Sequence, residues 1–281
     1  MEVILVDNGS ADGSAQAIAA EFPQVILMAE QENHGFAHAT NISVARARGA
    51  YVLLLNTDTL VLEHAIEKLV AFAQSHPHAG IWGGKTLFAD HTLNPTSCWG
   101  RITPWSATCL ATGLSKVFKR TMLFNPEGYG DWDRSTVREV DIVQGSFFLI
   151  TKAFWDELGG FDAAFFMYGE EADLCARAKA KGARPTVTPD SVIVHFGGGS
   201  SPMFAHKLIY ILGCRIGLIN RHFPRGWKAY GRFMTRLWAA AMTLAFWAVS
   251  RVLPRFNDTA QQWRIVWQRR AEWRDGLSRP V

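Results

Sequence analysis

Two aspartates each follow a short apolar run, a position in which side chains at the end of a buried strand can bind a ligand. Asp7 follows VILV, and Asn56-Thr57-Asp58 follows YVLLL. A carboxylate such as Asp7 can accept the ring N–H of a base or a ribose hydroxyl. Asp58 could hold a hard cation beside a nucleotide diphosphate, with His195, at the end of a later apolar run, as a further ligand. Turn and helix caps, and a structural histidine, are the alternatives that these residue types leave open.

A cluster of carboxylates offers a different chemistry. Glu170, Glu171 and Asp173 occupy three of four consecutive positions ahead of Arg177. Like charges this close raise one another's pKa, which suits a base that takes a proton from a sugar hydroxyl. An acidic first turn of a helix, stabilised by the helix dipole, explains the same cluster equally well.

The elements that would position these residues alternate between strand and helix. Apolar runs and helical spacing predict strands at 3–6, 25–28 and 51–55 and helices at 14–21, 37–48 and 62–75. Alternating β and α segments predict an α/β fold with a mostly parallel sheet, helices on both faces and ligands at the carboxyl ends of the strands.

The second half of the chain is less uniform. Residues 85–140 mix Pro, Gly, Trp and basic residues without a period, as expected of a substrate-shaping insertion. From residue 142 the pattern predicts a strand to 149, a helix at 152–158, a polar helix at 170–181 and a strand at 191–195.

Charge divides the chain into two regions. Residues 1–200 hold 15 Lys/Arg and 22 Asp/Glu, whereas residues 201–281 hold 14 and 3. The basic region also holds six of the eleven Trp residues, and its apolar run at 237–249 is shorter than the about 20 residues that span a bilayer. We therefore predict a catalytic domain at 1–201 and a helical tail at 202–281 that lies in a membrane interface, with packing on the catalytic domain as the alternative.

Cysteine usage and the chain's first residues bear on the compartment. The four cysteines form no CxxC or Cys/His pattern, and residues 1–10 show no basic segment followed by an apolar stretch. A reduced, cytoplasmic compartment is the expectation.

Five segments, in this order, resemble glycosyltransferase family 2, in particular its rhamnosyltransferase-like bacterial members. They are VDNGSADGS, ENHGFAHATN, LLLNTDT, GGFDAAFFMYGEEADLCARAKAKG and VIVHFGGGSS. The resemblance covers about residues 2–201. It implies the GT-A nucleotide-diphospho-sugar fold and an inverting glycosyltransferase.

The resemblance also implies roles for particular residues. Asp7 would contact the base, and Asn33, Gly35, Asn41 and Asn56 would lie near the nucleotide.

The metal and the base follow from the same resemblance. Asp58 stands in the family's Asp-x-Asp-like motif and would bind Mg²⁺ or Mn²⁺ together with His195. Glu171 stands where the family usually has an aspartate as catalytic base, and Glu170 and Asp173 would support it. In the mechanism implied, Glu171 deprotonates an acceptor hydroxyl that displaces the metal-bound diphosphate in line.

The resemblance favours dTDP-rhamnose as donor, with UDP- and GDP-sugars open. A lipid-linked or polysaccharide acceptor at the inner face of the cell membrane is expected, and no nucleic acid. Family members have a further strand, turn and helix ahead of the segment that opens this chain, so the domain is expected to be N-terminally incomplete. An inactive, membrane-bound nucleotide-binding remnant, or a nucleic-acid binder using the basic tail, are the rival functions.

Overall fold

Strands and helices alternate through the first 75 residues, except that two strands follow each other at 51–61. The structure, a computed structural model, describes residues 1–197 and 204–276. Predicted and observed bounds agree for several elements because these segments carry their own apolar period and end signals. The elements are β1 (Ile4–Asn8), α1 (Ser14–Glu21), β2 (Ile26–Glu30), α2 (Phe36–Arg46), β3 (Tyr51–Leu55), β4 (Thr59–Val61) and α3 (Ala65–Ser75).

The region without a predicted structure contains short elements between two long strands of the sheet. Helix α4 begins with a capping box, in which the Thr103 side chain accepts from Ser106 N and the Ser106 side chain accepts from Thr103 N. The elements that follow α3 are β5 (Ile81–Leu87), β6 (Cys98–Trp99), α4 (Pro104–Ala111), α5 (Leu114–Val117), β7 (Arg138–Glu139), β8 (Ile142–Val143), β9 (Phe147–Thr151), α6 (Lys152–Leu158), α7 (Glu170–Ala180) and β10 (Thr186–His195).

The central sheet has six strands in a mixed arrangement. Its hydrogen-bonded order is β3-β9-β5-β10-β4, with β7 also paired to β10, and β1 and β2 form a separate parallel pair. Only β5 and β10 are parallel neighbours within the six-stranded sheet. The α/β class is confirmed, but the prediction of a mostly parallel sheet is wrong. Strand β9 returns from a long insertion instead of a helical crossover, and therefore runs antiparallel to β3 and β5.

The core forms on both faces of β9. Phe148 and Ile150 point to one hydrophobic cluster, and Phe147 and Leu149 point to the other. All four are at most 3% exposed. This alternation produces the helix–sheet–helix layers that the sequence predicts.

Three predicted elements differ most from the observed bounds. The strand expected at 191–195 begins five residues earlier, at Thr186. The helix expected to begin at residue 62 begins at Ala65, because β-branched residues before it form β4 against β10. The strand expected at 142–149 is divided into β8 and β9 by residues 144–146.

The tail is a three-helix unit with its own core. Buried apolar side chains of all three helices meet there, together with Trp273, which is fully buried. The helices are α8 (Phe204–His222), α9 (Arg225–Ser250) and α10 (Asn257–Gln268).

The tail also packs on the catalytic domain. The Arg215 guanidinium makes two hydrogen bonds of 2.7 Å to the Glu127 carboxylate, and Arg221 makes one of 2.6 Å to Asp162. The interfacial helix predicted from the apolar run at 237–249 lies in α9, so these contacts of α8 leave it a prediction. These two arginines have partners among the acidic side chains of the domain, which lie far away in sequence. The predicted boundary at 201/202 lies outside the described residues.

Candidate active site

The carboxyl end of β1 leaves one carboxylate available to a ligand. The Asp7 residue is 8% exposed and its side chain makes no hydrogen bond within residues 1–197 and 204–276. The next side chain, Asn8, donates to Asn33 Oδ1 (3.0 Å) and to the Gly35 carbonyl (3.2 Å) and accepts from His34 N (3.1 Å). Asn8 therefore fixes the loop that contains two of the predicted nucleotide-site residues.

Gly35 lies where the chain has no room for a side chain. Its φ is +87°, and a Cβ there would lie 2.3 Å from the Phe166 carbonyl oxygen, which accepts from Phe36 N at 2.8 Å. The segment ahead of α7 thus packs directly on the loop ahead of α2. Only glycine fits this conformation and this contact.

Asn41 holds the same segment from its other end. Its Nδ2 donates to the Phe161 carbonyl (2.8 Å) and its Oδ1 accepts from Phe161 N (2.9 Å). These bonds indicate a positioning role for Asn41, and its predicted contact with the nucleotide stays a prediction.

The turn after β3 meets the end of β10. His195 Nε2 lies 3.1 Å from Asp58 Oδ1 and 3.5 Å from Asn56 Nδ2. Register explains this contact, because Thr59 of β4 pairs with His195. A carboxylate, an imidazole and an amide converge there, from residues far apart in sequence.

A short linker between β8 and β9, residues 144–146, contacts both the Asn33–Phe36 loop and the turn that contains Asp58. The Ser146 carbonyl accepts from Asn56 N (3.2 Å), and the space beside Gly145 is taken by the Phe36 ring. Ser146 Oγ is buried and has no hydrogen-bond partner among the residues described. The Asn33–Phe36 loop and the Asp58–His195 pair thus border a common region.

Glu170 and Glu171 begin α7, where their carboxylates are poorly solvated. Glu170 is 4% exposed, and one oxygen of each carboxylate is buried without a partner among the described residues. Burial, followed by repulsion from Glu171, raises the pKa of Glu170 well above its usual range. Burial also raises the pKa of Glu171. Because the two neighbouring carboxylates repel each other, the pair loses its first proton more readily than its second.

Asp173 connects the start of α7 to its surroundings. It accepts from Arg177 Nε (2.8 Å) and from His222 Nε2 of α8 (2.8 Å), and Arg177 also donates to the carbonyls of Leu158 and Gly160. Burial alone would raise the pKa of Asp173, but the hydrogen bonds from His222 and Arg177 outweigh it and lower that pKa. The tail therefore contacts the helix that carries the predicted base.

Replacing His222 by Ala should lower kcat by about 10- to 100-fold with a small change in the donor KM, because α7 loses one of its anchors and small displacements of a base are costly. His222→Gln retains an N–H donor and should restore part of the rate. Steady-state kinetics and urea unfolding of both variants measure the two effects. A loss of stability of about 1–3 kcal/mol with an unchanged kcat would show that the contact is only structural.

Sequence reasoning missed Asn8 and His222. Asn8 is the last residue of β1, next to a turn, where Asn is common and gives no signal of its own. His222 lies 49 residues from its partner. It does follow the buried Ile216 and Ile219 at helical spacing, and a polar residue in register with an apolar face indicates a buried partner.

Comparisons with known proteins agree with this arrangement. Residues 1–128 match the model of the family Glycosyl transferase family 2. N-acetylglucosaminyl-diphospho-decaprenol L-rhamnosyltransferase of Mycobacterium tuberculosis is 27% identical over 84% of this chain and 80% of its own length. Rhamnosyltransferase WbbL of Escherichia coli is 27% identical over 68% of this chain and 75% of its own.

A solved structure has the same fold. The mannosyltransferase PcManGT of Pyrobaculum calidifontis, solved in complex with GDP-Man and Mn²⁺, superposes with a TM-score of 0.51 over 94% of this chain and 75% of that chain, at 18% identity. The chain is therefore a glycosyltransferase with a GT-A fold, which matches glycosyl transferase family 2 over residues 1–128 and is similar to bacterial rhamnosyltransferases.

Proposed function

We propose that the chain transfers a sugar, with inversion at the anomeric carbon, from a nucleoside diphosphate donor to a lipid-linked or polysaccharide acceptor. The observation that carries this proposal is the placement of Glu171, a carboxylate with raised pKa and one unpartnered oxygen. It begins a helix whose preceding segment contacts the Gly35 loop.

In the proposed reaction Glu171 accepts the proton of the acceptor hydroxyl as that oxygen attacks the anomeric carbon. The bond from that carbon to the diphosphate oxygen breaks, and its electrons leave with the nucleoside diphosphate. A base with a raised pKa, once ionised, binds the proton more strongly than an ordinary carboxylate does. Protonated Glu170 would keep a second negative charge away from the base.

Asp58 and His195 are the proposed ligands for Mg²⁺ or Mn²⁺, which would neutralise the diphosphate. Among the described residues no cluster of three His, Cys, Asp or Glu could hold a metal ion. Two protein ligands still fit, because such a cation at a diphosphate takes its other ligands from phosphate oxygens and water. The distance of 3.1 Å between His195 Nε2 and Asp58 Oδ1 would allow both atoms to bind the same cation. Asn56 supplies an amide beside them.

Asp7, Asn33 and Gly35 are proposed to hold the nucleotide. The unpartnered Asp7 carboxylate can accept from a base or ribose, and Gly35 allows the close packing that shapes the loop containing Asn33. Rhamnose from dTDP-rhamnose is the proposed donor sugar, since both relatives above are named as rhamnosyltransferases.

The catalytic domain is proposed to end near residue 201, and the tail to hold the enzyme at the cytoplasmic face of the cell membrane. Helix α9 is long and apolar enough to cross a bilayer, and only 11% of its most apolar window is buried. Phe233, Leu237, Leu244 and Trp247 recur at helical spacing and are 39–65% exposed. A face of this kind, with arginines at its ends, is typical of interfacial helices.

Release of nucleoside diphosphate from dTDP-, UDP- and GDP-sugars, with Mn²⁺ and a polyprenyl-diphosphate-linked acceptor, tests the function. We expect acceptor-dependent turnover, fastest with dTDP-rhamnose, and a product of inverted configuration by NMR. Nucleotide binding without turnover of any donor would instead support the inactive remnant.

A further inference from the structure

We propose that residues 114–124 form a second membrane contact, which enters the headgroup region of an anionic bilayer beside α9. This inference deepens the proposed function, on which it rests for the membrane itself. The segment comprises α5 and the turn that follows it, within the insertion at 85–140 for which the sequence predicts no elements. Its parts are an exposed apolar surface, a basic rim and a rigid connection to α9.

The apolar surface is dense for a region in contact with water. Val117 is 73% exposed, Leu123 61%, Met122 46% and Phe118 45%. Four large apolar side chains therefore stand exposed within seven positions. Single exposed apolar residues are ordinary, but such a group in a short segment indicates a partner surface.

The charge around this surface has one sign. Residues 91–126 contain four Lys or Arg and no Asp or Glu. Lys116 and Lys119 make no ion pair with any residue in the described ranges, whereas Arg120 pairs with Asp131 at 3.3 Å. Two free ammonium groups thus flank the exposed apolar residues. Anionic phospholipid headgroups over an acyl region match this combination of basic and apolar side chains.

The segment is held in place. The Phe118 and Phe124 rings are 5.0 Å apart, and Trp105 Nε1 of α4 donates to the Leu123 carbonyl at 2.6 Å. Asn125 Nδ2 donates to the Lys119 carbonyl at 2.8 Å. The exposed side chains are therefore presented by an ordered turn, and little conformational entropy is lost when they bind.

Helix α4 connects this turn to α9. Thr108 and Tyr230 share a hydrogen bond of 2.6 Å between their hydroxyls, and the Tyr230 ring packs on the edge of Trp227, which is 51% exposed. Arg225 and Lys228 flank Trp227 in sequence. Helix α4 thus joins residues 114–124 to the start of α9. Both segments combine exposed apolar side chains with basic residues. A nucleic acid would satisfy the lysines but would leave Val117 and Leu123 in water.

The test compares the whole chain with Val117→Ser/Leu123→Ser in sedimentation with phosphatidylcholine vesicles and with an equal mixture of phosphatidylglycerol and phosphatidylcholine. We expect the double variant to bind the anionic vesicles at least about tenfold more weakly. Lys116→Gln/Lys119→Gln should weaken binding to the anionic vesicles alone. Phe22→Ser, at an apolar residue 46% exposed at the end of α1, is the matched control and should bind as the wild type does.

Each result can be separated from the proposed function. Circular dichroism and nucleotide release with a water-soluble acceptor should be unchanged in all three variants. Wild-type vesicle binding by Val117→Ser/Leu123→Ser, with loss in Leu244→Ser on α9, would overturn the second contact and leave the tail as the only one. Salt-sensitive binding to an oligonucleotide that outcompetes the vesicles would also overturn it. A wild type that releases no nucleoside diphosphate from any donor would instead refute the proposed transferase activity.

Discussion

Glu171→Gln should lower kcat by about 10²- to 10⁴-fold and leave the KM for the nucleotide donor nearly unchanged. Glutamine has the same size and keeps the backbone of α7, but its amide cannot accept the hydroxyl proton. The lost interaction therefore belongs to the chemical step and not to donor binding. Single-turnover transfer to a saturating acceptor measures it directly.

The matched control is Glu170→Gln, which replaces the neighbouring buried carboxylate. In the proposed reaction Glu170 stays protonated while Glu171 acts as the base, since burial and repulsion from Glu171 raise the pKa of Glu170 well above the usual range. A neutral amide imitates that protonated state, so this variant should retain most of the activity. Equal losses in the two variants, or a larger loss in Glu170→Gln, would contradict the assignment of Glu171 as the base.

The same pair predicts the direction of the pH dependence. The base acts only when ionised, and burial raises the pKa of Glu171. In the wild type the acid limb of kcat should therefore lie at higher pH than for a solvated glutamate. In Glu170→Gln no negative charge can form beside Glu171. The acid limb of kcat should therefore not move to higher pH in this variant.

Asp58→Asn should reduce turnover by about 10²-fold or more at moderate Mn²⁺, because neutralising the diphosphate is worth several kcal/mol and each 1.4 kcal/mol is tenfold in rate. The amide retains shape and hydrogen bonding to His195, but it is a weaker ligand for a hard cation. Activity should recover partly as Mn²⁺ is increased. His195→Ala should show the same dependence on metal concentration.

Calorimetric titration with Mn²⁺ and nucleoside diphosphate gives a readout that does not depend on turnover. Both variants should bind Mn²⁺ more weakly, whereas Asp156→Asn, which removes an exposed carboxylate paired with Lys152, should bind it as the wild type does. Unchanged Mn²⁺ affinity and rate in Asp58→Asn would show that the pair is only a hydrogen bond between β10 and the turn after β3.

The order of elements was available from the sequence because its signals are local. Helices α1 and α6 and strand β3 have the predicted bounds. A Gly or Thr ahead of each helix, the Gly after α6 and the fully apolar run of β3 decide these segments with little help from the rest of the chain. Ordered motifs around Asp7, Asn56 and Glu171 likewise carried the resemblance to the family, and the comparisons confirm it.

Tertiary structure decided the features that depend on distant residues. The direction of β9, the pairing of β4 with β10 and the contact of α8 with the catalytic domain all join segments far apart in sequence. The sequence of an acidic cluster at the start of a helix does not reveal whether its carboxylates are exposed to water or buried. Only packing shows that Glu170 and Glu171 are desolvated while Asp173 is paired with His222. The sequence thus identified the carboxylates. Their pKa values were set by burial and by partners brought close only in the folded chain.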